Sequence, residues 1–353
     1  LLDDITGAAA YTRGEGPVEG VGISAADDTV TLDFDRPASF FPSIATGPTL
    51  AIVPPTIEQQ ARGPAADAEF AASGAFVPVE QDLELIRMEA NDRYWAGPAP
   101  MSRITIITDD GGRSQVDVFE DEAVDWTRVS SADASWMRYD RYLGPQLRHA
   151  DQMSVDLLGF DATVPPFDDP AVRRAVAMAV DWRRLAELDG ADEPPTSIVP
   201  PDVVARPEGD YLLPYDPAAA RAELAAAGYP GGDGFPAVSL ATYGVGPADA
   251  IATELTTQLG IQVGVETRPF DQHSLLLDID TPDMWTLAWS ADYPHAHDFL
   301  GLLLLGESSA NIGGWRDPEY DRLVNEAAAT GDLDEQTTLY AQAEAIVREQ
   351  VPL

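Results

Sequence analysis

Residues 237–267, AVSLATYGVGPADAIATELTTQLGIQVGVET, decide the fold class. The apolar runs at 237–243 and 261–267 predict two strands, and residues 248–259 between them predict a helix. Two strands joined by a helix of this length favour a parallel pair with a right-handed crossover. Residues 284–289, MWTLAW, are apolar throughout, which predicts a further strand buried on both faces. We therefore expect an α/β lobe in the second half of the chain.

Asp-Pro dipeptides mark the starts of three helices, at Asp169-Pro170, Asp216-Pro217 and Asp317-Pro318. In each, the Asp carboxylate can accept a hydrogen bond from a free backbone N–H of the first turn, and Pro has no N–H to lose there. The predicted helices cover residues 170–188, 217–227, 318–330 and, without this signal, 334–349. In the first half, strands are predicted at 27–36 (half-buried), 103–108 and 154–160, and short helices within 111–150.

The composition limits the classes of partner. A chain of 353 residues is long for a single core, so two lobes are expected. Its net charge is −39 and all 21 basic residues are Arg, so the protein repels nucleic acid and anionic membrane surfaces. The composition points to a GC-rich genome or a high-salt habitat and does not separate the two. There is no Cys, which excludes disulfides and thiolate chemistry.

The sequence offers little catalytic or metal-binding chemistry. His295 and His297 are the only closely spaced histidines, and in an extended segment their side chains would point the same way. No third metal ligand can be named, so we interpret this pair as polar residues of an exposed loop. No G-x-S-x-G motif occurs, and the Gly-rich residues 231–234 lack the Lys of a phosphate loop.

An aromatic and acidic cluster follows the strand predicted at 284–289. It comprises Trp285, Trp289, Asp292, Tyr293 and Phe299. Ligands of α/β folds tend to bind at the carboxyl ends of strands, where aromatic side chains offer rigid contact area and a carboxylate can pair with a cation. The alternative interpretation is a strand end with core aromatics, and both remain open at this point.

This segment also carries a family resemblance. Asp283-Met284 and Ala288-Trp289-Ser290-Ala291-Asp292-Tyr293-Pro294 resemble the "DM…GW-x-ADYPDP" signature of extracellular solute-binding protein family 5, the peptide- and nickel-binding receptors of ABC importers. Other motifs of the family follow in its order: SGAF at 73–76, NDRYW at 91–95, PPFDD at 165–169, YDP at 215–217, AGYP at 227–230, LGI at 259–261 and DPEYD at 317–321. The sequence departs from the signature at His295-Ala296, where Asp-Pro is usual.

The resemblance implies an α/β fold of the type II periplasmic-binding-protein kind, with two lobes and a hinge, plus the remnant of an extra N-terminal subdomain. Residues 1–62 would be the end of that subdomain, 63–160 part of lobe I, and 161–353 lobe II, the ligand-binding lobe. It also implies that the chain is truncated at both ends relative to the family.

The resemblance implies a binding protein and not an enzyme, with no catalytic residue, cofactor or metal. In peptide-binding members the Asp of the signature pairs with the α-ammonium of the ligand, a role that falls on Asp292. Trp289, Tyr293, Trp315 and Asn311 are the other expected ligand-binding residues. The expected ligands are di- and oligopeptides; oligosaccharides, nickel chelates or a sensor role without transport are the alternatives.

The expected partners are a peptide or small-molecule ligand and the permease subunits of the importer. No nucleic acid is expected, and contact with the membrane would be through a lipid anchor outside this chain. The protein is expected to be a monomer that is extracellular or periplasmic.

Overall fold

The computed structural model describes residue 2 and residues 4–51, 72–188, 195–244 and 246–353. The chain divides into two compact units, one formed by Leu1–Leu50 with His149–Leu353 and the other by Ala51–Arg148. The domain boundaries expected at 62/63 and 160/161 stay a prediction, and the first of them lies outside the described residues.

The strands are β1 (Ile23–Ala26), β2 (Thr29–Leu32), β3 (Phe76–Gln81), β4 (Leu85–Ala90), β5 (Arg103–Ile107), β6 (Ser154–Phe160), β7 (Val238–Thr242), β8 (Val263–Thr267) and β9 (Met284–Ser290). The α-helices are α1 (Ala8–Thr12), α2 (Phe41–Ile44), α3 (Gln115–Glu120), α4 (Ser131–Met137), α5 (Pro170–Ala179), α6 (Trp182–Leu188), α7 (Pro217–Ala226), α8 (Ala248–Leu259), α9 (Phe270–Ile279), α10 (Ala296–Leu304), α11 (Pro318–Ala329) and α12 (Leu333–Gln350).

A four-stranded sheet in the order β6-β9-β7-β8 organises the larger unit. β7 is parallel to both β8 and β9, whereas β6 is antiparallel to β9. The predicted strand–helix–strand order and the parallel pairing of β7 with β8 are confirmed. Alternate residues of β6 enter different cores, with Leu158 and Phe160 in one cluster and Val155 and Leu157 against the other. The sheet therefore carries an apolar layer on each face, as expected of an α/β unit.

The predicted Asp caps start α5, α7 and α11, where each carboxylate accepts from backbone N–H groups of the first turn. The prediction of a single helix over residues 170–188 is wrong, because this segment forms two helices, α5 and α6. Val180 takes an extended conformation (φ −108°, ψ 131°), and Asp181 accepts from the N–H of Arg184 at 3.1 Å. A second capping Asp thus begins a new helix.

The amino-terminal segment belongs to the larger unit. β1 and β2 form a hairpin. β2 lies within the strand predicted at 27–36, but the predicted half-burial of that strand is wrong, since Val30 is 60% exposed. Phe40 and Ile44 of this segment are buried in a small cluster with Tyr293 and Ala328. The segment therefore covers the region that follows β9.

The smaller unit contains an antiparallel sheet in the order β3-β4-β5 together with α3 and α4. Of these strands only β5 is predicted from the sequence, and the two helices fall within the region 111–150 where short helices are expected. A small cluster of Val116, Met137 and Leu143 forms the buried part of the helical region.

Candidate ligand-binding site

The carboxyl ends of β7, β8 and β9 lie at one edge of the main sheet because the three strands run in the same direction. Tyr243, Arg268 and Ala291 follow these ends. The backbone N–H of Arg268 donates to the carbonyl of Thr242 at 2.9 Å, and the Tyr243 hydroxyl accepts from the N–H of Ala288 at 3.2 Å. This is the edge at which ligands of α/β sheets tend to bind.

Asp292 lies two residues beyond the end of β9, between the strand and α10, and its side chain is exposed. Its backbone N–H donates to Oδ1 of Asp298 at 3.2 Å. The backbone of Asp292 is thus fixed from within the protein while its carboxylate stays accessible. This arrangement suits a residue that meets a ligand.

Asp298 holds Trp289 as well as Asp292. The indole Nε1–H of Trp289, a partly buried residue, donates to Oδ2 of Asp298 at 2.8 Å. Asp298 is fully buried, and this burial raises the pKa of its carboxyl to about 6. The sequence analysis did not single out Asp298; the available signal was a lone carboxylate in the first turn of the apolar helix AHDFLGLLL.

Tyr293 and the two histidines form a buried layer beneath the strand end. Tyr293 is 3% exposed, and its hydroxyl hydrogen-bonds to Nδ1 of His297 at 2.9 Å. The His297 ring stacks on Phe40 with centroids 3.7 Å apart and planes 7° apart. Nδ1 of His295 accepts from the N–H of His297 at 3.1 Å, which caps α10. The interpretation of these histidines as an exposed loop is wrong, because the amino-terminal segment covers them.

Burial also sets the protonation of this layer. It lowers the pKa of His295 to about 4 and that of His297 to about 3, so both rings are neutral at physiological pH. It raises the pKa of the Tyr293 hydroxyl. Within the described residues, no group of three or more His, Asp and Glu side chains is arranged to hold a metal ion.

Trp315 and Asn311 lie in the loop before α11. Trp315 is 7% exposed and packs edge-to-face on Tyr320, with ring centroids 5.0 Å apart. Nδ2 of Asn311 donates to the carbonyls of Trp315 at 2.7 Å and Leu305 at 3.2 Å. Both side chains, like Tyr293, are thus engaged inside the protein, and their contact with a ligand stays a prediction.

A cavity of about 200 Å³ lies elsewhere in the larger unit, beside β6. Its wall is largely apolar and includes Leu157, Trp182 and the buried Glu344. Oε1 of Glu344 accepts from the Ser197 hydroxyl, and burial raises the pKa of this carboxyl to about 7. Asp292 does not line this cavity, so the cavity is separate from the candidate site at the carboxyl end of β9.

Among the described residues, no helix combines the length and the apolarity that a membrane crossing requires.

The chain has relatives among characterised bacterial proteins. The probable deoxycholate-binding periplasmic protein YgiS of Escherichia coli (strain K12) is 28% identical over 369 residues, covering 99% of this chain and 67% of that protein. The dipeptide-binding protein DppE of Bacillus subtilis (strain 168) is 25% identical, covering 99% of this chain and 66% of that protein. The chain thus spans about two thirds of the length of these curated relatives.

Among solved structures, the Escherichia coli murein tripeptide binding protein MppA matches with a TM-score of 0.77 at 21% identity, covering 99% of this chain and 71% of that one. This likeness confirms the expected fold, that of a type II periplasmic binding protein. The family profile named bacterial extracellular solute-binding proteins, family 5 middle, matches residues 3–311. Because that match takes in most of the sequence, the chain belongs to the bacterial extracellular solute-binding proteins of family 5.

Proposed function

We propose that the protein is the extracellular substrate-binding component of an ABC importer and that it captures di- and oligopeptides through their free amino terminus. Capture occurs as two lobes close on the ligand and expel water. Contacts with both lobes supply the differential affinity that shifts the population toward the closed form. The protein delivers its cargo to the importer's permease unchanged and is not an enzyme.

The observation that carries this proposal is the position of Asp292. Its carboxylate is exposed at the carboxyl end of β9, while its backbone N–H is held by the buried Asp298. A carboxylate on a fixed backbone can pair with an ammonium group with little loss of conformational freedom. DppE is a dipeptide-binding protein and MppA a murein tripeptide binding protein by name, which supports a peptide ligand.

Two features support the choice of a cationic group as the anchor. The chain carries a net charge of −39, which attracts cations and disfavours ligands with net negative charge. Trp289 is partly buried and hydrogen-bonds to the same carboxylate, that of Asp298, as the backbone of Asp292, so its ring can supply apolar contact area near the end of β9. Main-chain contacts then supply affinity without strict selection of peptide side chains.

The location and partners follow from this role. The protein works outside the cytoplasmic membrane, as periplasmic relatives do, and is held at the cell surface by a lipid anchor beyond this chain. It acts as a monomer that docks on the permease subunits of its importer.

Calorimetry with the full-length protein tests the proposal. A tripeptide with a free amino terminus is compared with the same peptide acetylated at that terminus. The free peptide is expected to bind, and acetylation and Asp292→Asn are each expected to weaken binding about 10- to 100-fold, because each removes one side of a charge-assisted hydrogen bond. Asp278→Asn, at an exposed position on α9, is the matched control and should leave affinity unchanged. Equal affinity of Asp292→Asn and the wild type contradicts the role of Asp292.

A further inference from the structure

Asp298 makes hydrogen bonds to two residues near the carboxyl end of β9: Trp289 within the strand and Asp292 just after it. One carboxylate oxygen accepts from the backbone N–H of Asp292 and the other from the indole N–H of Trp289. Asp298 itself is in the first turn of α10, so this side chain links the helix to the end of β9. One buried carboxylate therefore positions both the backbone of Asp292 and the indole of Trp289.

The setting of Asp298 makes this link sensitive to protonation. Its side chain is 0% exposed, and burial raises the pKa of the carboxyl to about 6. The nearby charge of Asp292 acts in the same direction, whereas the hydrogen bonds from Trp289 and from the backbone favour the charged form. A protonated carboxyl carries an O–H donor and has less capacity to accept, so it holds the two N–H groups less well.

The pKa of Asp298, about 6, lies between those of the buried histidines and the buried tyrosines near the end of β9. Asp292 and Tyr293, which follow β9, interact with Asp298 directly. The layer beneath adds the charged and titratable groups near Tyr293 and His297: His295, Asp4, Arg36 and Tyr340. Burial lowers the pKa of each histidine to about 4 or below and raises those of Tyr293 and Tyr340 above the usual tyrosine value. These histidines and tyrosines are therefore neutral between pH 5 and 7.

We infer that Asp298 is a positioning residue that holds Asp292 and Trp289 in the ligand-binding arrangement and couples capture of a cationic ligand to release of a proton. This inference rests on the proposed function, since it takes the α-ammonium of a peptide as the cation next to Asp292. The ammonium stabilises negative charge nearby and so favours ionised Asp298. By linkage, ionised Asp298 then favours the bound ligand to the same extent.

The coupling fixes the direction of the pH dependence. In the free protein, a large share of Asp298 is protonated at pH 6, and binding of the cation lowers that share. Affinity therefore falls as the pH decreases from 7 to 5, by about three- to tenfold when binding moves the pKa of this one group toward its ordinary value. The protein would hold peptides more weakly in an acidic medium.

Calorimetry of the full-length protein with a free tripeptide, from pH 5 to 7 and in buffers of different ionisation enthalpy, tests the coupling. The wild type is expected to release protons near pH 6, and Asp298→Asn is expected to show no release and a flat affinity profile. Glu344→Gln is the matched control, because Glu344 is also a buried carboxyl with a pKa near neutrality, and it hydrogen-bonds to Ser197 and not to residues at the end of β9. This variant should keep the proton release of the wild type.

The outcomes separate this inference from the proposed function. If the wild type binds the free tripeptide and Asp298→Asn retains the same pH profile and proton release, the coupling is wrong and peptide capture stands. If the wild type binds no peptide at any pH, the proposed function fails and the coupling fails with it.

A measurement without ligand checks the positioning role by itself. In nuclear magnetic resonance spectra of the wild type, the indole N–H of Trp289, assigned with Trp289→Phe, should shift with a midpoint near pH 6 as its acceptor is protonated. In Asp298→Asn this titration should disappear while the remaining indole signals keep their folded positions. A Trp289 signal that does not change between pH 5 and 7 in the wild type overturns the inference.

Discussion

Gly159 lies directly opposite Trp285 in the β6–β9 ladder, and the indole ring of Trp285 covers the place where a side chain of residue 159 would begin. Trp285 is 3% exposed, so its ring is a buried part of the sheet surface. The missing side chain at residue 159 is therefore what allows a large ring to lie against the backbone of β6.

Gly159→Ala is expected to destabilise the protein by about 1–3 kcal/mol, because a methyl group there overlaps the indole ring and forces the packed layers apart. Urea unfolding followed by circular dichroism measures the change. Gly331→Ala is the matched control: among the described residues, its two chain neighbours aside, no atom lies within 4 Å of the added methyl group, and its effect should stay within about 0.5 kcal/mol. Equal effects at the two positions would contradict the packing argument.

Arg173→Lys is expected to cost about 2–4 kcal/mol, since buried carbonyls would lose their donors. Arg173 is 1% exposed and donates to the carbonyls of Phe167, Gln350 and Val351. A lysine ammonium cannot reproduce the planar fork that reaches these sites. Arg322→Lys, at an exposed site on α11, is the control and should change stability little. Thermal unfolding compares them, and equal melting temperatures of Arg173→Lys and the wild type would show that the carbonyls need no guanidinium.

Local signals were sufficient to predict the parts of the fold that local chemistry dictates. The caps at Asp169, Asp216 and Asp317 predict the starts of α5, α7 and α11, because a capping carboxylate and a proline act within a few residues. The split after α5 was missed because Asp181 caps α6 without a following proline. α10 was missed because a histidine, His295, caps it, and histidine is not among the usual capping residues.

The site could be predicted only in part. Asp292 is a candidate site residue from a motif resemblance, whereas the sequence analysis did not single out Asp298, which accepts a hydrogen bond from its backbone N–H. The burial of His295 and His297 depends on Phe40, which lies more than 250 positions away in the sequence. No periodicity near residue 295 encodes a contact of that range, so the polar sequence there was interpreted as exposed.

Salt is expected to stabilise the protein. The net charge of −39 leaves exposed carboxylates that repel one another, and salt reduces that repulsion because the Debye length falls from about 10 Å at 0.1 M to about 3 Å at 1 M. The melting temperature should rise by several degrees over this range of sodium chloride, and most of the rise should occur at the lower concentrations. Potassium chloride is the control and should act alike. A melting temperature that is constant over the range would mean that charge repulsion does not limit stability.

Glu344→Gln is expected to stabilise the protein relative to the wild type at neutral pH and not at pH 4. Burial raises the pKa of Glu344 from 4.5 to about 7, so the folded state retains a proton that the unfolded chain has lost. The wild type therefore loses stability as the pH rises from about 4.5 to 7, by on the order of 3 kcal/mol from this group alone. Glutamine does not titrate, and its carbonyl can still accept from Ser197.

Urea unfolding at pH 4, 5.5 and 7 should show the difference in unfolding free energy between Glu344→Gln and the wild type growing across this window. Glu349→Gln, at an exposed position on the same helix, is the control and should show no such growth. A constant difference at the three pH values would mean that Glu344 ionises normally in the folded protein.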